Sequence, residues 1–146
     1  MITMTNEVRR GGLNDIPALM PLLERAQHKM GPPYLRLGPN LQAAWLRSEL
    51  DRPETVLLIA GDPPYGFCWA EVLGTRELLI HEVCMAPGKT LDLIIEAIRD
   101  AARKHGCTRM TCLTYRPGAA RLFRRYGFVW TANLLQSVVQ PGGEVS

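Results

Sequence analysis

The run Ile80-His81-Glu82-Val83-Cys84-Met85 sets a carboxylate among apolar neighbours in a stretch that reads as a strand. Apolar surroundings disfavour the charged form of a carboxyl group, so its pKa rises and it becomes a proton acceptor suited to neutral pH. Glu82 is therefore the first candidate for a general base, with His81 and Glu71 behind it. The competing reading of Glu82 is a sheet-edge carboxylate paired with an arginine. Strict alternation puts Glu82 on the same face as Ile80 and Cys84, opposite His81 and Val83. A second group, Gly88-Lys89-Thr90, stands just before an apolar segment of helical period. Unpaired N–H groups, the helix dipole and one ammonium there would hold an anion. Equally, Thr90 is an N-cap and Lys89 a solvated side chain. A nucleoside-triphosphate loop is excluded: it needs a glycine five positions before Gly88, where Val83 stands, and a later strand ending in a metal-binding Asp.

No metal site is expected. Cys68, Cys84, Cys107 and Cys112 form no C-x-x-C pair and have no histidines at ligand spacing, so they read as small buried hydrophobes in a reducing cytoplasm. The 146 residues suffice for one domain, with 47% apolar and 21% charged residues as in ordinary globular chains. A net charge of +3 is too small for a dedicated nucleic-acid binder. No apolar run approaches the ~18 residues that cross a bilayer, and the first residues show no export signal. Arg99, Arg103, Lys104, Arg116, Arg121, Arg124 and Arg125 make the C-terminal half basic. That pattern suits a phosphate-bearing ligand or, more simply, solvated helical faces.

Positioning these residues falls to a β-α-α-β-β-β-α-β-α-β order over about residues 7 to 139, with a frayed tail at 140–146. A short strand over Glu7–Arg10 ends at Gly11-Gly12, and Asn14 or Asp15 caps a helix carrying Ile16, Leu19, Leu22 and Leu23. Asn40 caps a second helix, expected to bury Leu41, Ala44, Trp45 and Leu50. Thr55–Ala60, Tyr65–Leu73 and Glu77–Met85 form a three-stranded meander. Thr90 caps a third helix bearing Ile94, Ile95, Ile98 and Ala102, which Gly106 stops. Thr108–Tyr115 is a fifth strand, Pro117–Arg125 a fourth helix, and Phe128–Val139 a last strand or hairpin. The prediction is an α/β fold: a mixed sheet of six or seven strands flanked by four helices.

Four local patterns then narrow the fold. Val8-Arg9-Arg10 leads into Asn14-Asp15-Ile16-Pro17. Leu57-Ile59-Ala60-Gly61 precedes Tyr65-Gly66-Phe67. The strand ending at Met85 closes on Ala86-Pro87. Ala119, Leu122, Phe123, Gly127 and Phe128 fit N-x-x-A-x-x-L-Y-x-x-x-G-F. In this order the four resemble the GNAT N-acetyltransferase superfamily over nearly the whole chain.

The resemblance implies acetyl-CoA as acyl donor, lying along Val83 and Met85 and at Gly88, Lys89 and Thr90. It implies an amine of a small molecule or protein as acceptor. Two departures bear on activity. The family's R/Q-x-x-G-x-G/A loop is shortened here by about five residues and keeps one glycine. Phe123 stands at the family's tyrosine, whose hydroxyl protonates the departing thiolate; Tyr126 and Tyr115 are its candidate replacements, and Phe123→Tyr would then speed turnover. Trimmed loops of this kind are similar to those of divergent GNAT-like proteins of phages and prophages. Coenzyme binding is expected to be weak, at best tens of micromolar, or roughly −6 to −7 kcal/mol. The alternative is a catalytically impaired GNAT-like module that binds a protein or forms a homo-oligomer through an edge strand.

Overall fold

The computed structural model describes residues 7–29, 39–113, 117–131 and 134–139. Strand β1 (Val8–Arg10) opens the chain, followed by a 3-10 turn at Leu13–Asp15 and helix α1 (Ile16–Lys29). Asp15 does not cap α1 from in front. Its carboxylate turns back, accepting from the Gly12 N–H at 2.8 Å and from Arg9 Nη2 at 2.8 Å. At Gly11 the chain passes close over the core: a Cβ there would meet Ile59 Cδ1 at 2.6 Å, so any larger residue would displace the Ile59 or Leu57 side chain.

Helix α2 (Pro39–Glu49) precedes a meander of β2 (Thr55–Ala60), β3 (Gly66–Leu73) and β4 (Glu77–Met85). A crossover through α3 (Asp92–Lys104) brings β5 (Arg109–Leu113) parallel to β4. Helix α4 (Pro117–Arg124), β6 (Val129–Thr131) and β7 (Leu134–Val138) complete the described chain. The sheet order is β1-β2-β3-β4-β5-β7-β6, with only the β4–β5 pair parallel. A parallel pair needs a long connection, which α3 supplies.

Helices cover both faces. On one, Ile94, Ile95, Ile98 and Ala102 of α3 pack with Val56, Leu58, Cys68, Ala70, Leu78 and Ile80. On the other, Ile16, Leu19, Leu22 and Leu23 of α1 and Ala43 and Leu46 of α2 pack on Leu57, Ile59, Phe67 and Trp69. Fully burying each such side chain contributes about 1.5–3 kcal/mol.

Two helix expectations need correction. In α2 the buried residues are Ala43 and Leu46, whereas Leu41 and Trp45 are 58% and 43% exposed. Leu-Gln-Ala-Ala-Trp-Leu offers two apolar stripes, and contact with α1 selects the less hydrophobic one. Nor does Thr90 cap α3. The N-cap is Leu91, which has no side-chain acceptor; its side chain is buried, and that burial sets where the helix begins. Gly106, at φ +72°, ends α3 as expected. All four cysteines are buried and none is in a disulfide. Among the described residues no helix is long and apolar enough to cross a membrane, and no cluster of three metal-ligating side chains occurs.

Candidate active site

Strand β4 changes character midway. Trp69 of β3 stands opposite Glu82 and Ala70 opposite Ile80, so His81 is an extra residue, a β-bulge. One inserted residue reverses the facing of everything after it. Before the bulge Leu78 and Ile80 join the core under α3; after it Cys84 joins the core under α1 and α2, its thiol donating to the Leu22 carbonyl at 3.1 Å. Val83 and Met85 now pack on the α3 side. Ile80 and Cys84 therefore lie on opposite faces, and the expectation that Glu82 shares a face with both is overturned.

The pairing of β4 with β5 stops at the same place, at Ile80 opposite Cys112. From His81 to Met85 no described strand pairs with that edge of β4, which leaves a short row of backbone donors and acceptors beside the gap. Glu82 is buried beside this edge, 9% exposed. Its charge reaches thiols on both neighbouring strands. Burial, then Glu82, pushes the Cys112 thiol on β5 up to about 12. Burial, then Cys112, then Glu82 pushes the Cys68 thiol on β3 higher still. Glu82 thus lies just past the end of the β4–β5 ladder, on a strand that stays paired with β3.

His81 has a partner of its own. Its Nε2 lies 3.0 Å from Glu71 Oε1, and since an ionised carboxylate only accepts, the ring donates through Nε2–H. Glu71 thus orients His81. Around them Trp45 and Trp69 meet edge to face at 4.7 Å, with the His81 ring 5.5 Å and 5.2 Å from each. Arg52 reaches Glu71 at 3.9 Å, Glu49 at 3.3 Å and Glu54 at 3.8 Å. A hydrogen bond to Glu49, then the charges of the three carboxylates, hold its guanidinium above the ordinary value.

Beyond Met85 the chain turns through Gly88, at φ +81°, and the Lys89 N–H donates to the Ala86 carbonyl at 3.3 Å. The Lys89 ammonium sits 4.6 Å over the ring of Tyr65, whose hydroxyl donates to Glu7 at 2.7 Å. Thr90 is exposed. Asp92, absent from the expected site, lies in the first turn of α3, and the Tyr126 hydroxyl donates to its Oδ1 at 2.7 Å. Desolvation first, then this bond, holds the Tyr126 hydroxyl above its ordinary value, so it stays protonated. Tyr126 therefore belongs with the α3 N-terminus. Phe123 is buried, edge to face with Phe128 at 5.1 Å. Tyr115 and Arg116 lie outside the described residues. A cavity of about 290 Å³ bounded by Arg10, Gly12, Asp51 and Arg52 opens at the opposite end of the sheet from Met85. It adjoins the Glu71–His81 pair through Arg52 and Thr55, which stands opposite Glu71, and lies away from the Met85 end of β4.

Asp92 was not signalled by sequence, and His81 and Glu71 were each candidate bases there but not a pair. An acid in a first turn is common for reasons of helix dipole alone, and the separation of 10 positions between Glu71 and His81 becomes a contact only when the meander pairs their strands. Taken together, the arrangement offers an open backbone edge, a buried carboxylate at its start, and a helix N-terminus with no side-chain cap.

No model of a known protein family and no curated protein matches the sequence. Solved structures do match the fold. A probable acetyltransferase from Staphylococcus epidermidis is similar at a TM-score of 0.78 and 13% identity, over 91% of this chain and 98% of that one. The PaiA N-acetyltransferase of Thermoplasma acidophilum, solved with coenzyme A, gives 0.73 and 15%, over 90% and 98%. A GNAT-family acetyltransferase of Streptococcus pneumoniae gives 0.68 and 14%, over 91% and 98%. At these identities what is shared is the architecture.

Proposed function

We propose that this chain, whose fold is that of the GNAT acetyltransferases, transfers an acetyl group from acetyl-CoA to an amine of a small molecule or protein in the cytoplasm. The observation that carries the reading is the pairing of two features in β4: a bulge at His81, and an edge beyond it that no described strand pairs once the β4–β5 ladder ends at Ile80. A sheet edge that no described strand covers, beside a buried carboxylate, suits an extended ligand that adds to the sheet. One neighbour of the same fold was solved with coenzyme A.

The residues present fit such a ligand. The backbone of Val83 and Met85 suits an extended chain bearing amides, and the first N–H groups of α3, with no side-chain cap, suit a pyrophosphate. The single Gly88, Asp92 and the distance-consuming contact of Lys89 with Tyr65 weaken the grip without closing it. Acetyl-CoA, when bound, supplies the acyl group as a thioester.

The protein's own groups divide the remaining tasks. The β4 edge orients the acyl carbonyl by an N–H donor, a preorganised dipole that strengthens as charge develops on oxygen. Holding acceptor and acyl group side by side removes the entropy cost of a bimolecular encounter. Glu82 takes the proton from the attacking amine. The thiolate is a good enough leaving group to need little protonation, which lets the site tolerate Phe123. Tyr126 holds a proton near the α3 N-terminus, where it steadies Asp92.

A second reading, a binding or assembly module descended from such an enzyme, is favoured by one specific observation: the protein's own Asp92 carboxylate occupies the turn where a phosphate would bind. Calorimetry with acetyl-CoA, followed by thiol-release assays over a panel of amines, decides between them. Binding with turnover, lowered by Glu82→Gln more at low pH than where the amine is already free, supports the enzyme. No binding and no turnover supports the module.

A further inference from the structure

We infer that Trp45, Trp69, His81 and Glu71 form the acceptor subsite, and that it selects an acceptor carrying a positive charge besides the amine to be acylated. The inference rests on the proposed transfer at the β4 edge. Its first ground is position. The bulge puts Glu82 opposite Trp69, and Trp69 is within 5.2 Å of His81 and 4.7 Å of Trp45, so the proton acceptor and the aromatic cluster share one face of the sheet. The second is accessibility: Trp45 is 43% exposed although the rings it touches are buried or nearly so. An exposed indole resting on a buried one presents a π surface to solvent, and indole is the best aromatic receiver of a cation.

Charge supplies the third ground. Glu49, Glu54 and Glu71 surround the guanidinium of Arg52, three negative charges against one positive. The cluster attracts cations and disfavours anionic acceptors. The fourth is incompleteness: Trp69 Nε1–H is buried and has no acceptor among the described residues, a donor suited to the lone pair of the neutral amine that is acylated, while the cation rests on the indole faces. Cross-strand neighbours stand about 5 Å apart, and the Trp45 ring lies 4.7 Å beyond that of Trp69. A ligand that reaches from Glu82 to the Trp45 ring must therefore span both rings, which a flexible aliphatic diamine can do.

The test is binding followed by NMR on the full chain without coenzyme, using 1,5-diaminopentane, pentylamine and 1-pentanol as probes at low salt. The indole N–H signals of Trp45 and Trp69 and the ring signals of His81 should shift with diamine. Affinity should be at least about fivefold greater than for pentylamine, with pentanol weakest, and should fall with added salt. Trp45→Leu should lose at least about fivefold and Glu71→Gln about threefold, whereas Trp45→Phe stays within about threefold. Trp45 is a surface residue, so its variants leave the core intact. Equal affinity for diamine and monoamine, no binding of either, or full binding by Trp45→Leu overturns the inference. Charge-selective binding with no acetylation of the diamine when acetyl-CoA is added leaves the cation subsite standing and removes the transfer reading.

Discussion

Replacing Asp92 with asparagine should strengthen coenzyme A binding while weakening the fold slightly. A phosphate on the first N–H groups of α3 would lie about 5 Å from a side chain of the same turn. Two unit charges at that distance repel by about 0.8 kcal/mol in bulk water and about 3 kcal/mol at an effective dielectric near 20. Asp92 is exposed, so the lower end applies, and a gain of about 1 kcal/mol is roughly fivefold in affinity. Asparagine keeps an oxygen to accept from Tyr126, so the substitution isolates charge. It also removes a favourable acid from a helix N-terminus, about 0.3–1 kcal/mol, which for a chain of this length lowers Tm by about 1–4 °C. The assay is calorimetric titration of wild type and Asp92→Asn with coenzyme A and with pantetheine, which lacks the phosphates, at low and high salt. The gain should appear for coenzyme A alone and shrink as salt is raised. Affinities within twofold of each other, or an equal gain for pantetheine, would show that no phosphate sits at this turn.

Phe123→Tyr should not accelerate turnover. Its ring is buried against Phe128, so the new hydroxyl is desolvated, and urea denaturation should show a loss of about 1–3 kcal/mol. The four cysteines should resist alkylation in the native state at pH 8, since burial holds the Cys112 thiol at about 12 and those of Cys68 and Cys107 above their ordinary values; mass spectrometry finding prompt labelling of Cys68 or Cys112 contradicts this. Asp15 is held below its ordinary pKa by the hydrogen bond from Arg9, so its contribution exists above the unfolded pKa and is lost as pH falls through the folded one. Asp15→Asn should therefore cost at most about 1 kcal/mol at pH 7 and almost nothing near pH 2; a penalty that persists in acid would assign the effect to the Gly12 bond instead.

Local chemistry was enough to place the elements of this protein. Alternation and turn residues delimit the meander, the Ile94-Ile95-Ile98 spacing marks the face of α3, and Gly106 and Gly127, both at positive φ, stop α3 and α4 where only glycine is unstrained. These signals are local: each depends on the conformational preference or burial of a few consecutive residues. The departures begin where two segments compete for the same surface. Helix α2 has two apolar stripes, and only contact with α1 decides that Ala43 and Leu46 go inside while Trp45 stays out. The bulge at His81 has no signature in its own residues; it appears when β3 and β4 pair, and by reversing the facing of Glu82 to Met85 it decides which groups meet. The Glu71–His81 pair, the Trp45–Trp69 contact and the Tyr126–Asp92 bond, 34 residues apart in sequence, follow from strand register and helix docking. Register and docking are set by the sum of many weak burial terms across the chain, which no single motif encodes.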